Sequence, residues 1–162
     1  MLSKRSAGVI LFRRTPGLEV LLGHMGGPFW ARKHERAWSI PKGGLEGPEE
    51  PLQAALREFE EELGVAVPGG ERLPLGTVTQ SGGKTVEAWA VQADLDPTTI
   101  VPGTFEMEWP PRSGRTALFP ELDRVEWFAL DEARRVMVAA QTGFLDRLAS
   151  LAEPQMPGPD EA

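Results

Sequence analysis

Acidic residues crowd one short segment of the chain, Arg57–Gly64, which reads REFEEELG. If this segment is helical, Glu58, Glu61 and Glu62 fall on one face, whereas Glu60 lies apart from them. Like charges at helical spacing repel one another, and a merely soluble face would more usually mix lysine with glutamate. Three converging carboxylates instead supply the oxygen ligands that a hard divalent ion such as Mg2+ or Mn2+ requires. The spacing therefore favours a metal site over a solvated acidic face.

These carboxylates need a helix to hold them, and the sequence PLQAALREFEEELG predicts one over residues 51–64. Pro51 suits the first turn of a helix, and Gly64 suits its C-terminal end. Arg57, four residues before Glu61, can form an ion pair with the acidic face. On the opposite side we expect an apolar stripe that faces a core, formed by Leu52, Leu56, Phe59 and Leu63. The helix thus presents one face to a core and the other to a ligand.

Short apolar segments on both sides of this helix predict a sheet. Strands are expected over residues 6–14, 18–25, 38–41, 71–80, 84–95 and 124–130. Lys42-Gly43-Gly44 predicts a turn immediately before the acidic helix, where an exposed glycine backbone can approach an ion. Gly82-Gly83 predicts a second turn between two strands. The mixture of strands and helices indicates an α/β fold.

Two further helices are expected near the C-terminus. Asp131 can cap a helix over residues 132–138, and Thr142 can cap another over residues 143–151. The following residues, EPQMPGPDEA, have no apolar periodicity. We therefore predict a disordered tail over residues 153–162.

Length and composition indicate a single globular domain. The chain has 162 residues, of which 41% are hydrophobic and 25% charged. This is enough for one core and too little for two ordinary domains, so we predict one domain over residues 1–152. The apolar run over residues 7–12 is too short for a signal peptide or a membrane span, which predicts a cytoplasmic protein.

Charge and cysteine content exclude several classes of protein. The net charge of -7 disfavours nucleic acid polymers and anionic membranes as partners, because both attract cationic surfaces. With no cysteine the chain has no disulfide, no thiolate nucleophile and no zinc-thiolate cluster. A small phosphorylated molecule remains compatible if a metal ion or a few cations offset its charge. The oligomeric state is not readable from the sequence.

The acidic segment resembles the signature of the Nudix family. Gly43, five residues, Glu49, seven residues and then REFEEELGV over residues 57–65 fill every defined position of the Nudix box. AGVILF, the WSIPKG entry into the box and VEWFAL extend a looser similarity over about residues 6–151. The resemblance implies an α/β/α sandwich around a mixed β-sheet. It also implies hydrolysis of a diphosphate linkage in a nucleotide-type substrate, a nucleoside triphosphate or a dinucleoside polyphosphate, by metal-activated water.

The resemblance also implies roles for individual residues. Glu58, Glu61 and Glu62 match the carboxylates that bind Mg2+ or Mn2+. Arg57 matches the residue that orients Glu58, and Glu49 matches the glutamate that braces the loop. The main-chain carbonyl of Lys42 or Gly43 is implied as a further metal ligand.

A later glutamate is implied as a second-site metal ligand or general base. Many Nudix hydrolases carry it six residues before a tryptophan, and Glu121 and Trp127 have that spacing. The alternative is an ordinary carboxylate of a surface loop. Glu106, Glu108 and Glu58 remain competing candidates for the general base.

Several residues are candidates for substrate contacts. Phosphate oxygens can be met by cations in loops, and the candidates are Lys33, Arg36, Lys42, Arg112 and Arg115. A nucleobase can stack on aromatic rings, and the candidates are Phe29, Trp30, Trp89, Phe105 and Trp109. Simple solvation of the cations and packing of the rings are the alternatives.

The sequence leaves the identity of the substrate open. The stretch GGLEGPEEP resembles diphosphoinositol polyphosphate hydrolases, whereas WSIPKG is similar to diadenosine polyphosphate hydrolases. The tyrosine usual in the dinucleoside subfamily is missing, because the chain contains no tyrosine. An ADP-ribose type pyrophosphohydrolase and a non-catalytic Nudix-fold nucleotide sensor are two further interpretations, although such sensors commonly lose box carboxylates.

Overall fold

The computed structural model describes residues 4–14 and 17–152. The strands are β1 (Arg5–Arg13), β2 (Glu19–Met25), β3 (Trp38–Ser39), β4 (Lys42–Gly44), β5 (Leu73–Thr79), β6 (Thr85–Gln92), β7 (Thr104–Glu108), β8 (Thr116–Pro120) and β9 (Leu122–Ala129). The helices are α1 (Pro51–Leu63), α2 (Leu130–Val136) and α3 (Gly143–Ala152). The predicted disordered tail, residues 153–162, lies outside the described residues.

A seven-stranded mixed sheet forms the centre of the molecule. Its path is β3-β2-β1-β6-β5, and β4 and β9 pair with β1 and β2 respectively. The β1–β6 pair is parallel, whereas the other pairs are antiparallel. Strands β7 and β8 form a separate antiparallel hairpin.

An apolar core lies on each face of the sheet, because the side chains of β1 alternate between the two. Ile10 and Phe12 enter the core that α2 and α3 cover, whereas Val9 and Leu11 enter the core that α1 covers. Phe59 of α1 is fully buried in the latter core, and burial of one such side chain contributes about 1.5–3 kcal/mol. The layers are therefore helix, sheet and helix, and the predicted α/β/α sandwich with a mixed sheet is confirmed.

Several predictions about individual elements are wrong. Residues 42–44 form the short strand β4, in which Gly43 pairs with Ala7 of β1, and not a turn. Helix α2 has Ala129 and not Asp131 at its N-cap position. The hydroxyl of Thr142 donates to the carbonyl of Ala139 at 2.8 Å and does not cap α3.

None of the helices in the described part of the chain is long and apolar enough to cross a membrane. The predicted turn at Gly82-Gly83 is present as a short 3-10 helix over Ser81–Gly83 between β5 and β6.

Candidate active site

Helix α1 lies closer to the sheet than its leucine pattern predicts. Ala54 and Ala55 are fully buried together with Phe59 and Leu63, whereas Leu52 and Leu56 are half-buried. Leu56 packs against the same core as Phe59 and Leu63, so this part of the predicted apolar stripe is confirmed. The two small alanines add to it and allow the helix backbone to approach the sheet. Gly64 ends the helix in the left-handed conformation at φ 69°, and its N–H donates to the carbonyl of Glu60 at 2.8 Å.

This close approach removes part of the acidic face from solvent. The Glu58 side chain is only 14% exposed, whereas that of Glu61 is 57% exposed. A merely solvated face would leave all its carboxylates in water. The sequence signal therefore marks a partly buried acidic face, where Glu58 of α1 lies against Gly43 of β4.

Gly43 of β4 makes room for the Glu58 carboxylate. A Cβ built on Gly43 would overlap that carboxyl group, whose carbon and both oxygens are the nearest atoms. Since a side chain in this position must displace Glu58, the glycine is a steric requirement of the site and not of a turn.

We expect Gly43→Ala to fold and to have a kcat about tenfold or more below that of the wild type. The added methyl group displaces the Glu58 carboxylate while the β1–β4 pairing stays possible. The measurement is kcat with Mg2+ alongside a melting curve. Gly69→Ala is the matched control, because a Cβ at Gly69 would meet no atom within 4 Å. Equal activity of the two variants would contradict this prediction.

Arg57 connects the carboxylates of the box. Its guanidinium donates to both carboxylate oxygens of Glu49, at 2.8 and 3.0 Å, and to the carbonyl of Gly44 at 3.0 Å. It also donates to Glu58 at 2.9 Å and to Glu61 at 3.1 Å. The hydrogen bond from Arg57 is the main reason that the pKa of Glu49 is lowered. With an ion pair to Glu46 at 3.5 Å, one cation is thus shared among four carboxylates, and Arg57 fixes the position of Glu58.

The surroundings of the acidic face shift the pKa values of its side chains. Burial, and then the charge of Glu121, raises the pKa of Glu62 to about 8. Burial also raises the pKa of Glu58, although Arg57 opposes the shift. Burial lowers the pKa of Lys42, and the charges of Glu62, Glu121 and Glu58 oppose that shift. The half-buried face therefore disfavours the charged forms of Glu58 and Glu62, and a bound cation would favour them.

A chain of backbone hydrogen bonds brings Glu121 to the same face. The N–H of Gly103 donates to the carbonyl of Glu62 at 3.1 Å, and the N–H of Glu121 donates to the carbonyl of Gly103 at 2.8 Å. The N–H of Gly26 then donates to the carbonyl of Glu121 at 3.0 Å. Side chains at Gly103 and Gly26 would overlap the backbones of Glu61 and Pro120 respectively. Two glycines therefore allow three loops to meet beside the end of α1.

The competing carboxylates of the hairpin have other partners. Glu106 accepts a hydrogen bond from the Thr116 hydroxyl at 3.0 Å. Glu108 accepts one from the backbone N–H of Arg112 at 2.9 Å. Neither appears among the charges that shift the pKa of Glu62, whereas Glu121 and Glu58 do. The structure thus brings Glu121, and not Glu106 or Glu108, to the acidic face.

The predicted substrate contacts lie partly on the acidic face and partly elsewhere in the fold. Lys42 lies on the acidic face. The Lys33 ammonium lies over the Trp30 ring at 5.1 Å, and Trp30 packs against a core. Arg36 donates to the carbonyls of Arg134 and Met137, where α2 ends. Arg112 lies in the turn between β7 and β8.

The donor set fits a divalent cation in its chemistry. The carboxylates of Glu58, Glu62 and Glu121 are close enough to interact electrostatically, and hard cations prefer carboxylate oxygens as ligands. Within residues 4–14 and 17–152, however, no three acidic or imidazole side chains are already close enough to hold an ion. The hydrogen bond between Arg57 and Glu61 is one reason, because it draws the Glu61 carboxylate towards the guanidinium. The predicted ligands are gathered on one face but are not assembled around a point.

The β7–β8 hairpin was not predicted from the sequence. Its residues TFEME and TALFP alternate between half-buried and exposed positions. This period of two is the ordinary sequence signal of a half-buried strand. The hairpin also adds Phe119 to the candidate aromatic rings. The centre of its ring lies 6.2 Å from that of Phe105 and 6.4 Å from that of Trp109.

Comparison with known families identifies the family of this chain. The model of the NUDIX domain matches residues 2–148. The chain therefore belongs to the Nudix hydrolase family.

Curated relatives match a shorter part of the chain. An RNA pyrophosphohydrolase from Alkalilimnicola ehrlichii is 42% identical over 53 residues, which cover 32% of this chain and 29% of the relative. An RNA pyrophosphohydrolase from Halorhodospira halophila is 42% identical over 67 residues, which cover 38% of this chain and 36% of the relative. The chain thus matches about a third of the length of these relatives.

Solved structures show the same fold at low identity. An Ap4A hydrolase binary complex from C. elegans superposes with a TM-score of 0.65 at 21% identity, over 90% of this chain and 96% of the other. The NUDIX domain of NrtR from Shewanella oneidensis, complexed with ADP ribose, gives a TM-score of 0.60 at 16% identity, over 94% and 90%.

Proposed function

We propose that the protein is a divalent-metal-dependent pyrophosphohydrolase that cleaves a diphosphate linkage in a nucleotide-type substrate, a nucleoside triphosphate or a dinucleoside polyphosphate. The observation that carries this proposal is the half-buried acidic face. Glu58 and Glu62 have raised pKa values there because burial and mutual repulsion disfavour their charged forms. A folded chain keeps such unfavourable charges together where a cationic ligand offsets them.

Each residue of the face has a role in this reaction. Glu58, Glu61 and Glu62 would hold Mg2+ or Mn2+, with a main-chain carbonyl at Lys42 or Gly43 as a further ligand. A bound divalent ion supplies charge neutralisation at the phosphate oxygens and makes a water molecule more acidic. Arg57 keeps Glu58 in position through its bidentate contact with Glu49. Lys42 adds a cation beside the phosphate.

Glu121 is the proposed general base. It accepts a proton from the attacking water as the new P–O bond forms and the diphosphate bridge breaks. The bridging oxygen leaves with one phosphate product, so no covalent intermediate on the protein is required. Backbone hydrogen bonds connect Glu62 to Gly103 and Gly103 to Glu121, and they hold residue 121 beside the acidic face.

The alternative functions differ in which groups of the site they require. A nucleotide sensor needs neither a general base nor a full set of box carboxylates, whereas this chain contains Glu121 and all the box carboxylates. Diphosphoinositol polyphosphates and ADP-ribose need the same acidic face and differ only at the part that is not hydrolysed. The partial relatives are RNA pyrophosphohydrolases, which adds RNA as a candidate substrate. The net charge of -7 disfavours a long nucleic acid.

A panel assay tests the proposal. The substrates are nucleoside triphosphates, diadenosine polyphosphates, ADP-ribose, diphosphoinositol polyphosphates and a 5′-triphosphorylated RNA, each with Mg2+, Mn2+ or excess EDTA. We expect hydrolysis of a nucleoside triphosphate or a diadenosine polyphosphate, its loss in EDTA, and its recovery when Mg2+ is added back. Full activity in EDTA contradicts the metal dependence, and binding without turnover would identify a sensor.

A further inference from the structure

Four aromatic side chains form a cluster outside both apolar cores of the described chain. Phe29 and Trp109 lie 5.6 Å apart between ring centres, Trp109 and Phe119 lie 6.4 Å apart, and Phe105 and Phe119 lie 6.2 Å apart. Phe29 comes from the loop after β2, and the others come from the β7–β8 hairpin. We call these four residues the aromatic cluster.

The aromatic cluster is open to solvent. Phe29 is 59% exposed, and the other three rings are half-buried. The hairpin is amphipathic, because Phe105 pairs with Phe119 while Glu106 and Glu108 alternate with the apolar positions. An exposed ring is more informative than a buried one, since it packs no core.

The rings of the aromatic cluster meet edge to face or at a tilt. Phe29 meets Trp109 edge to face at 90°, Trp109 meets Phe119 at 90°, and the Phe105–Phe119 pair is tilted by 42°. No pair among the four is stacked in parallel. A flat heteroaromatic ring can therefore stack on Phe29 or Trp109 without displacing an existing stack.

The aromatic cluster is continuous with the acidic face. Phe119 stands two residues before Glu121, whose carbonyl accepts the N–H of Gly26 at 3.0 Å. The next residue, Gly27, faces the Phe105 ring, since a Cβ there would lie 3.3 Å from Phe105 Cζ. The same backbone contacts that hold the candidate base therefore hold the aromatic rings. A molecule whose phosphates lie on the acidic face can extend its other end towards the rings.

We propose that the aromatic cluster binds the nucleobase of the substrate, with Phe29 and Trp109 as the stacking surfaces. This inference rests on the proposed function and narrows its substrate class. A nucleobase is flat and aromatic and gains from stacking on exposed rings. An inositol ring offers no such face. The substrate is thus a nucleoside polyphosphate and not a diphosphoinositol polyphosphate.

The test measures binding of two probes by titration calorimetry in Mg2+. One probe is the α,β-methylene analogue of ATP or of GTP, and the other is methylenebisphosphonate, which has no base. Phe29→Ala should weaken binding of the nucleotide analogue by roughly 5- to 150-fold, the effect of losing one base–aromatic stack. Binding of methylenebisphosphonate should change less than twofold. Phe29→Trp, which keeps an aromatic ring at this position, should bind the nucleotide analogue about as tightly as the wild type.

Leu118→Ala is the matched control. Leu118 is 68% exposed on β8, next to Phe119, and carries no aromatic ring. This variant should bind both probes like the wild type. A similar loss in Leu118→Ala, or an equal loss of both probes in Phe29→Ala, would overturn the inference.

Two more outcomes separate this inference from the proposed function. If Phe29→Ala changes the sedimentation of the protein but not its nucleotide affinity, the rings form a contact between two copies of this chain, and the inference is wrong. If Phe29→Ala loses nucleotide affinity but the wild type hydrolyses nothing in the panel, the aromatic site stands and the hydrolase proposal falls. If the wild type hydrolyses a nucleotide of the panel but binds both probes no better than Phe29→Ala does, the hydrolase proposal stands and the aromatic site falls.

Discussion

Glu62→Gln is expected to lower kcat by about 100-fold or more while the fold stays intact. Glu62 is half-buried on the acidic face, and its carboxylate interacts electrostatically with Glu121, Lys42 and Glu58. Glutamine keeps the size of the side chain but removes an anionic oxygen ligand. The measurement is kcat with saturating Mg2+ on the best substrate of the panel, together with a circular dichroism spectrum.

Glu60→Gln is the matched control for this substitution. Glu60 is exposed on the same helix and lies away from the acidic face, so its variant should retain nearly wild-type kcat. Glu61→Gln should also lose activity, since Glu61 shares Arg57 with Glu58. Glu62→Gln activity within a few-fold of the wild type would mean that Glu62 does not hold the metal.

The same variant has a second readout in the metal-free protein. Because the pKa of Glu62 is raised from its usual 4.5 to about 8 in the folded state, the folded protein binds more protons than the unfolded chain between these values. Stability from this group is complete below about pH 4.5 and is lost as the pH rises through about 8. In EDTA the melting temperature should therefore fall over this range, and Glu62→Gln should fall less. Mg2+ should stabilise the wild type more than the variant, whereas an equal ionic strength of Na+ should act alike on both.

The fold and the acidic face were predictable because both depend on local patterns. Pro51 and Gly64 mark the two ends of α1, and the spacing of Glu58, Glu61 and Glu62 follows from the helical period. What the period did not predict was how deeply each carboxylate lies. Ala54 and Ala55 bring α1 onto the sheet, so the face that looked polar became half-buried.

The remaining features depend on contacts between distant segments. The separation of Glu121 from the box gives no indication that Gly103 connects it to the end of α1, since backbone hydrogen bonds between loops leave no periodic signal. Arg36 was expected near phosphates from its position in a cationic loop, but its guanidinium lies at the end of α2. The role of Gly43 was placed in a turn, because the sequence does not show which side chain will lie against it.

Glu121→Gln should reduce kcat by about 100-fold or more with little change in the dissociation constant of a non-hydrolysable nucleotide. A general base acts on the proton that moves in the transition state, so its loss affects the chemical step and not ground-state binding. The backbone bonds that hold residue 121 involve no side-chain atom and remain in the variant.

The experiment therefore combines single-turnover rates with calorimetric binding of the α,β-methylene nucleotide. Glu106→Gln is the control, because Glu106 is exposed and accepts its hydrogen bond from Thr116 within the hairpin. Near-normal turnover in Glu121→Gln with a large loss in Glu106→Gln would transfer the role of base to the hairpin. A loss of metal-dependent binding in Glu121→Gln, measured as a weaker response to Mg2+, would instead make Glu121 a metal ligand, since the two roles differ in whether the ground state needs the carboxylate.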